Sequence, residues 1–347
     1  MIEADRPIIR REEDNMTSSF RTLAWIRHST LTLAVIASTI GAGPAHAADT
    51  WPSRSVRIVV PYGPGGAVDV ATRKMAQTLS VQTGQSFVVE NKPGATGTIG
   101  VNQVARAAPD GYTLVANDTT YSLLPHIFKT LPFDPAQDLE PISAFIFAPM
   151  ALVVSADSPY KSLDDLIKQA KAKPNLLTYG SGGAGTTPHF AAEALASATG
   201  ATFMHVPFKG AAEATQAVMG KVIDFQFAST TGVMGAVQGG QLRLLAVSGD
   251  KRLAVLPDVP TFAEAGVMDF GVVNWTGLWA PKGVPPEITA RLQREVATAM
   301  KAEDMKTFAA GMGAEPRAVD AQAFKHILAD SGAMWGKVAA SIGFNAK

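Results

Sequence analysis

Two stretches, VVPYGPGGAVD at residues 59–69 and LTYGSGGAGTTPH at residues 177–189, share one pattern. Each begins with residues typical of a buried strand, continues through a glycine-rich turn, and ends where the pattern indicates the start of a helix. The first turn of a helix presents free N–H groups at its positive dipole end, and glycine lets a ligand approach the backbone closely. Both stretches are therefore candidate anion-binding turns.

Short apolar runs alternate with helical patterns on either side of these turns. Strands are predicted at residues 56–60, 87–90, 112–116, 151–155, 176–180, 203–206, 224–228 and 242–248. Helices are predicted at residues 68–82, 98–107, 188–199, 212–220, 287–301 and 321–342. A further helix begins after Ser162, where Asp165 completes a capping box. This alternation predicts an α/β fold with parallel, doubly wound sheets.

The length of 347 residues is typical of two domains. We predict that residues 48–150 together with 271–347 form domain 1, and that residues 151–270 are inserted as domain 2. Because each part carries one glycine-rich turn, the two turns are expected to face each other across a hinge and to clamp a small ligand. The pattern indicates a ligand with at least one carboxylate.

Composition excludes several classes of protein. Lys and Arg number 30 against 30 Asp and Glu, so the net charge gives no case for nucleic-acid or anionic-membrane binding. The absence of cysteine excludes disulfides, thiolate metal sites and a lipidated N-terminal cysteine. The six histidines show no metal-ligand spacing. Neither G-x-S-x-G nor H-E-x-x-H occurs, so we expect no catalytic residues, no cofactor and no metal.

The N-terminus has the pattern of an export signal. Arg21, Arg27 and His28 precede an apolar run at residues 31–40, and Ala45-His46-Ala47 follows it. The run is about half the length of a membrane-spanning helix. We therefore predict cleavage after Ala47 and a periplasmic protein without a lipid anchor. Residues 1–15 are unusual for a signal, so Met16 is an alternative start to Met1.

The second turn also contains the formal dinucleotide fingerprint Gly180-x-Gly182-x-x-Gly185. A dinucleotide site needs an acidic residue about 20 positions later, but residues 203–207 are FMHVP. Thr186, Thr187 and His189 instead surround the helix start with small polar groups that suit a carboxylate. The nearest basic candidate is Lys209. A Rossmann-type enzyme that uses residues 180–185 stays open as an alternative.

The sequence from about Trp51 to the C-terminus resembles the substrate-binding proteins of tripartite tricarboxylate transporters, the Bug family of periplasmic receptors. The resemblance is carried by several segments in combination. They include WPSRSVRIVVPYGPGGAVDVATR (51–73), NKPGATGTIGVNQVARAAPDGYTL (91–114), YGSGGAGTTPHFAAE (179–193), LPDVPTFAEAG (256–266) and WTGLWAPKGVP (275–285).

This resemblance implies a periplasmic-binding-protein fold of two hinged domains that closes on an organic anion. The expected ligand is a dicarboxylate, a tricarboxylate or an aromatic acid. The expected partners are integral membrane transporter subunits. Alternatively, the protein is a ligand sensor for a membrane kinase. We expect a monomer. The sequence does not say which acid binds.

The resemblance also implies site residues. The first loop contributes Tyr62, Gly65, Gly66, Ala67 and Asp69, and the second contributes Ser181, Gly182, Thr186, Thr187 and His189. Asp118 and Thr120 lie in a loop, residues 117–121, that departs from the commoner family pattern and often faces the distal end of the ligand. Lys209 completes the candidate set.

Overall fold

The computed structural model describes residues 51–268, 270, 272–344 and 346. The predicted signal at residues 1–47, with its possible extension 1–15, lies outside the described residues. The strands are β1 Val56–Val60, β2 Phe87–Asn91, β3 Thr113–Asp118, β4 Leu139–Ser155, β5 Thr178–Ser181, β6 Met204–Pro207, β7 Phe225–Ser229, β8 Leu242–Val247, β9 Val273–Pro281 and β10 Glu315–Val319. The helices are α1 Ala67–Thr83, α2 Thr98–Ala105, α3 Thr120–Ile127, α4 Leu163–Ala172, α5 Thr187–Thr199, α6 Ala211–Met219, α7 Thr230–Gln238, α8 Pro286–Lys301, α9 Glu303–Gly311 and α10 Ala321–Ser341.

The strands form one mixed sheet with two parallel parts. At one end β2, β1 and β3 lie parallel, in that order, and at the other end β7, β5 and β6 lie parallel. Helices connect the parallel strands. Two parallel strands of one sheet need a crossover connection of about a dozen residues or more, which a helix supplies. The predicted α/β class is therefore confirmed.

Strand β4 joins the two parallel parts. Its first half, residues 139–149, pairs antiparallel with β9, and part of it pairs with β10 on the other side. From Met150 onward the same strand pairs with β7 and β8. The changeover falls at Pro149, which has no N–H to give to a ladder. One strand of 17 residues thus belongs to both halves of the sheet.

The C-terminal helix α10 covers the back of the sheet. Trp335 on α10 is fully buried and packs edge-on against Phe190 of α5, with ring centroids 6.2 Å apart. Phe324, near the start of α10, packs against Trp275 and Trp279 of β9 at 5.3 and 5.0 Å. The helix is therefore fixed both to β9 and to the second half of the molecule.

The structure confirms most of the predicted elements and adds six that were not predicted, namely most of β4 together with β9, β10, α3, α7 and α9. The sequence analysis predicted only residues 151–155 of β4, because Pro141 and Pro149 interrupt its apolar pattern and each lies next to a register shift or a change of partner. Helix α7 was not predicted because Gly232 and Gly235 lower its helix propensity. Helix α3 was not predicted because it is short and contains Pro125. The domain boundaries at 150 and 271 stay a prediction.

Among the described residues, no helix combines the length and the apolar character needed to cross a membrane.

The contact between β9 and α10 gives a test of the fold. A Cβ atom at Gly277 would overlap the Phe324 ring and lie 3.2 Å from Trp279. We expect Gly277→Val to lower the free energy of unfolding by about 1–3 kcal/mol through overpacking, as measured by urea denaturation. The control is Gly235→Ala, at an exposed helical position with nothing within 4 Å of the added Cβ, which should be neutral or stabilise by up to about 1 kcal/mol. Equal effects of the two variants would contradict the packing described for α10.

Candidate functional site

A cleft lies at the carboxyl ends of strands β1, β3, β5, β6 and β7. Helices α1, α3, α5, α6 and α7 follow these strands, and the first turns of all five helices line the cleft. The empty space, counting the part open to solvent, is about 680 Å³. In open α/β sheets ligands bind in the crevice outside the carboxyl ends of the strands. This cleft is therefore the candidate site.

The first glycine-rich turn carries β1 into α1. Gly66 lies at the N-cap of α1 and Gly65 has a φ of +79°, which an L side chain rarely adopts. No side chain caps the helix, so its first N–H groups face the cleft beside Gly66 and Ala67. Of the predicted first-loop residues, Tyr62, Gly66, Ala67 and Asp69 line the cleft, whereas Gly65 shapes the turn.

Asp69 holds this turn in place. Its Oδ2 accepts from the backbone N–H of Gly65 at 2.9 Å and from Arg73 Nε at 3.0 Å. Its Oδ1 accepts from Asn91 Nδ2 and Arg73 Nη2, both at 2.9 Å. Burial raises the pKa of the Asp69 carboxyl, but the hydrogen bonds from Arg73, Gly65 and Asn91 outweigh it and leave the pKa below its usual value. Because both oxygens are saturated, Asp69 fixes the shape of the turn.

The second glycine-rich turn is held by its own hydroxyls. Ser181 Oγ and Thr186 Oγ1 both donate to the carbonyl of Gly183, at 2.9 and 2.8 Å. Gly183 and Gly185 have φ values of +126° and +93°. Thr186 is the N-cap of α5 and makes no side-chain cap bond, but Pro188 has no N–H and the N–H of Thr187 is accepted by Thr120 Oγ1 at 3.3 Å, so few N–H groups remain free at this helix start. Gly182, Thr186 and Thr187 line the cleft, whereas Ser181 lies behind it.

Two histidines, His189 and His205, contact the second glycine-rich turn. His189 Nδ1 accepts the N–H of Gly185 at 3.2 Å, and His205 Nε2 contacts Ser181 Oγ at 2.7 Å. The two imidazole rings stack with centroids 4.2 Å apart, and Tyr179 stacks on His205 at 4.8 Å. His189 therefore contacts the second glycine-rich turn and does not line the cleft. The sequence analysis had expected it to contact the ligand directly.

Hydroxyl groups join the two sides of the cleft. Thr187 Oγ1, on α5, lies 2.9 Å from Thr119 Oγ1 and 3.0 Å from Thr120 Oγ1, on the β3 side. Thr120 Oγ1 also accepts the N–H of Thr187 at 3.3 Å, and Thr119 Oγ1 donates to Asn274 Oδ1 at 2.5 Å. All these groups are buried. The network ties the end of β3 to the start of α5 and to β9.

Asp118 and Tyr62 lie side by side in the cleft. The Tyr62 hydroxyl is 2.7 Å from Asn117 Oδ1 and 3.3 Å from Asp118 Oδ1, and the N–H of Thr120 donates to Asp118 Oδ1 at 2.9 Å. Burial raises the pKa of the Asp118 carboxyl, and the bonds from Thr120 and Tyr62 only partly offset this. Burial and the Asp118 charge raise the pKa of Tyr62 well above its usual value. Asp118 takes part in none of the ion pairs of the described chain.

The cleft contains residues that the sequence analysis did not select. They come from the first glycine-rich turn, from the starts of α1, α5, α6 and α7, and from β4, β7 and β9, and include Gly63, Val68, Met150, Pro188, Ala211, Ala212, Thr215, Ala228, Ser229, Gly232, Val233 and Asn274. Gly232 lets α7 approach α1, since an added Cβ would lie 3.1 Å from the N atom of Ala67. The residues at the starts of α6 and α7 could have been selected from the sequence, because each of these helices follows a predicted strand.

Lys209 lies outside the cleft. Its side chain is exposed, and its backbone N–H donates to Glu213 Oε2 at 3.1 Å. None of the described residues that line the cleft is a lysine, arginine or histidine. No group of three His, Cys, Asp or Glu residues able to hold a metal ion occurs within the described ranges. The donors that the described lining offers an anion are therefore backbone N–H groups, hydroxyls and the side-chain amide of Asn274.

Comparison with known proteins places the chain in a family. The family model described as "Tripartite tricarboxylate transporter family receptor" matches residues 71–344. The chain belongs to this receptor family. Protein BugT of Bordetella pertussis is 32% identical over 317 residues, which are 91% of this chain and 97% of BugT. The UPF0065 protein in the gbd 5′ region of Cupriavidus necator is 37% identical over 310 residues, 88% and 93% of the two chains.

Solved structures agree with this assignment. The periplasmic binding protein BugD matches with a TM-score of 0.82 and 30% identity, over 86% of this chain and all of BugD. A Rhodopseudomonas palustris protein, Rpa4515 with adipate, matches with a TM-score of 0.82 and 32% identity, over 84% and 98% of the two chains. MatC from the same species, with bound malate, matches with a TM-score of 0.76 and 28% identity, over 83% and 99%.

The protein is thus a periplasmic solute-binding receptor of this family, with the two-domain binding-protein fold that the sequence predicted. The family consists of substrate-binding receptors and not of enzymes. The Rossmann-like fingerprint of residues 180–185 is the turn between β5 and α5, and no acid follows it on β6.

The role of Asp69 gives a second test. We expect Asp69→Asn to lower the free energy of unfolding by about 1–3 kcal/mol at pH 7, because Arg73, Asn91 and the Gly65 N–H lose a charged acceptor. A depressed pKa stabilises the fold above the carboxyl's unfolded pKa of about 3.9, and this contribution is lost as the pH falls through the folded-state pKa. The difference from wild type, measured by urea denaturation, should therefore shrink below about pH 4.

The matched control is Asp157→Asn, which removes the exposed ion pair with Lys221. Its effect should be much smaller, because exposed pairs stabilise little. An effect of Asp69→Asn no larger than that of the control would show that Asp69 does not hold the turn.

Proposed function

We propose that this receptor binds a small organic carboxylate in the cleft and delivers it to integral membrane subunits of a tripartite tricarboxylate-type transporter. The observation that carries the proposal is the convergence of five helix N-termini, of which α1, α6 and α7 have no side-chain cap, on a cleft to which the described residues contribute no basic side chain. Helix N-termini favour anions through unpaired N–H groups and the helix dipole. Relatives solved with adipate and with malate support a carboxylate as the ligand.

The ligand would be bound between the two glycine-rich turns. One carboxylate would lie against the first turns of α1 and α5, near Gly66, Gly182 and Thr186. Neutral donors bind an anion with little desolvation cost compared with a buried ion pair, and water can bridge the remaining distance. The hydroxyl network of Thr119, Thr120 and Thr187 would then close the two sides over the ligand.

We further propose that the protein is exported to the periplasm, acts there as a monomer and delivers its ligand to the transporter. The predicted signal at residues 1–47 supplies the route to the periplasm, and a protein released free there would carry its ligand by diffusion. A ligand sensor for a membrane kinase would use the same cleft, so only the partner differs between the two. We favour delivery because the family whose model matches is a transporter receptor family.

A thermal-shift panel tests the ligand class. A ligand that binds only the folded state stabilises it by about 2.7 kcal/mol at 100 times its dissociation constant. We expect one or more acids from a panel of mono-, di-, tri- and aromatic carboxylates to raise Tm, and calorimetry to give a heat for the same acids. NAD and ATP should have no effect. A panel without any shift or heat, or a response to NAD alone, would overturn the proposal.

The variant Gly66→Val locates the site within the same experiment. Gly66 has a φ of −77° and an added Cβ would meet nothing closer than 3.8 Å, so the fold accepts a side chain there. The larger side chain would occupy the space of the ligand carboxylate, and the Tm shift should vanish while the unliganded Tm stays within a few degrees of wild type. Gly235→Ala, away from the cleft, should keep the full shift. An unchanged shift in Gly66→Val would remove this turn from the site.

A further inference from the structure

The charged side chains that line the cleft do not suit a ligand whose only polar groups are two carboxylates. Of the residues that the structure describes, two carboxylates, Asp69 and Asp118, line it, and no lysine, arginine or histidine does. Asp69 is neutralised by its paired hydrogen bonds with Arg73. Asp118 has only neutral partners, namely the Tyr62 hydroxyl and the backbone and side chain of Thr120. A second ligand carboxylate beside Asp118 would meet a like charge in a partly desolvated site.

Asp118 also has acceptor capacity to spare. The hydrogen bonds from Tyr62 and from the N–H of Thr120 both fall on Oδ1. The Tyr62 hydroxyl has one proton and lies closer to Asn117, at 2.7 Å, than to Asp118, at 3.3 Å. The Thr120 side chain is a third donor to Asp118, and its oxygen also lies 3.0 Å from Thr187 Oγ1. An ionised carboxylate offers about four acceptor positions, so Asp118 remains able to accept from a ligand.

We infer that Asp118 is a specificity-determining residue that accepts a hydrogen bond from a donor group on the ligand. The ligand would then carry a carboxylate for the helix N-termini and, at the position facing Asp118, a hydroxyl or an ammonium group. This inference rests on the proposed carboxylate receptor and adds the second functional group of its ligand. An acid without such a donor leaves Asp118 desolvated and unpaired, and a buried polar group without its partner discriminates strongly.

The raised pKa of Asp118 fits this arrangement, since burial without a cation is its main cause. A ligand donor would restore a partner to the ionised form. A ligand ammonium group would stabilise the ionised carboxylate by its charge as well as by a hydrogen bond, whereas a hydroxyl would do so by the hydrogen bond alone. The two donors should therefore differ in how much they strengthen binding.

The test compares matched acids by calorimetry at pH 7.5. The first series is succinate, malate and aspartate, the second is glutarate, 2-hydroxyglutarate and glutamate, and the third is benzoate and 4-hydroxybenzoate. In at least one series the acid with a donor should bind at least tenfold more tightly than its plain counterpart. A preference for the amine over the hydroxyl identifies an ammonium donor, and the reverse identifies a hydroxyl donor.

The variant Asp118→Asn assigns the preference to this residue. The amide is isosteric and uncharged and can itself donate, so the tenfold preference should fall to threefold or less while the plain acid binds equally well or more tightly. Asp157→Asn, at an exposed position, should leave both affinities unchanged. If Asp118→Asn does not fold, the ranking of the acids by the wild-type protein still decides.

Three results would overturn the inference. The first is equal or tighter binding of the plain acid in every series. The second is an Asp118→Asn variant that weakens all acids by the same factor. The third is a preference for the plain dicarboxylate that grows as the pH falls, because Asp118 would then act as a protonated donor. Binding of acids without discrimination overturns this inference alone, whereas binding of no acid in the wider panel overturns the proposed function with it.

Discussion

Strand β4 is the constraint on which the rest of the structure depends. It pairs with β9 up to Pro149 and with β7 from Met150, so both parallel parts of the sheet are built on one continuous backbone. Ser248 fixes the changeover: its hydroxyl accepts the N–H of Met150 and donates to the carbonyl of Val272. The Ser248 N–H in turn donates to the carbonyl of Met150 at 2.8 Å. Because the parts share this strand, the ends of β1 and β3 face the ends of β5, β6 and β7 across Met150, and a cleft results.

The cleft is suited to an anion although the described residues that line it include no basic side chain. Five helices begin at the strand ends, and the first turns of α1, α6 and α7, which no side chain caps, supply N–H donors without the desolvation cost of a buried lysine or arginine. The arrangement would let a chain with 30 basic and 30 acidic residues bind the acid that we propose as its ligand. Asp69 and Asp118 then have different roles, since Arg73 neutralises the first and no cation neutralises the second.

Much of this was predictable from local sequence. The strand–glycine–helix pattern predicted the two turns from which Gly66, Gly182, Thr186 and Thr187 line the cleft, because glycine-rich turns and helix starts are local properties. The supporting roles of Ser181 and His189 and the absence of Lys209 from the cleft were not predictable, since neighbours in sequence differ in the side of a turn that they face. Long-range features were also missed. Pairing over residues 139–149 depends on β9, more than 120 residues away, and its prolines hide the strand pattern.

Small-angle X-ray scattering tests the central claim that the two halves close on a ligand about β4. The profile of the protein without ligand is compared with the profile at saturation with the acid that raises Tm most. Closure predicts a smaller radius of gyration and a shorter maximum dimension with ligand, and no change in Gly66→Val. Superimposable profiles, with binding confirmed by calorimetry on the same sample, would contradict the clamp.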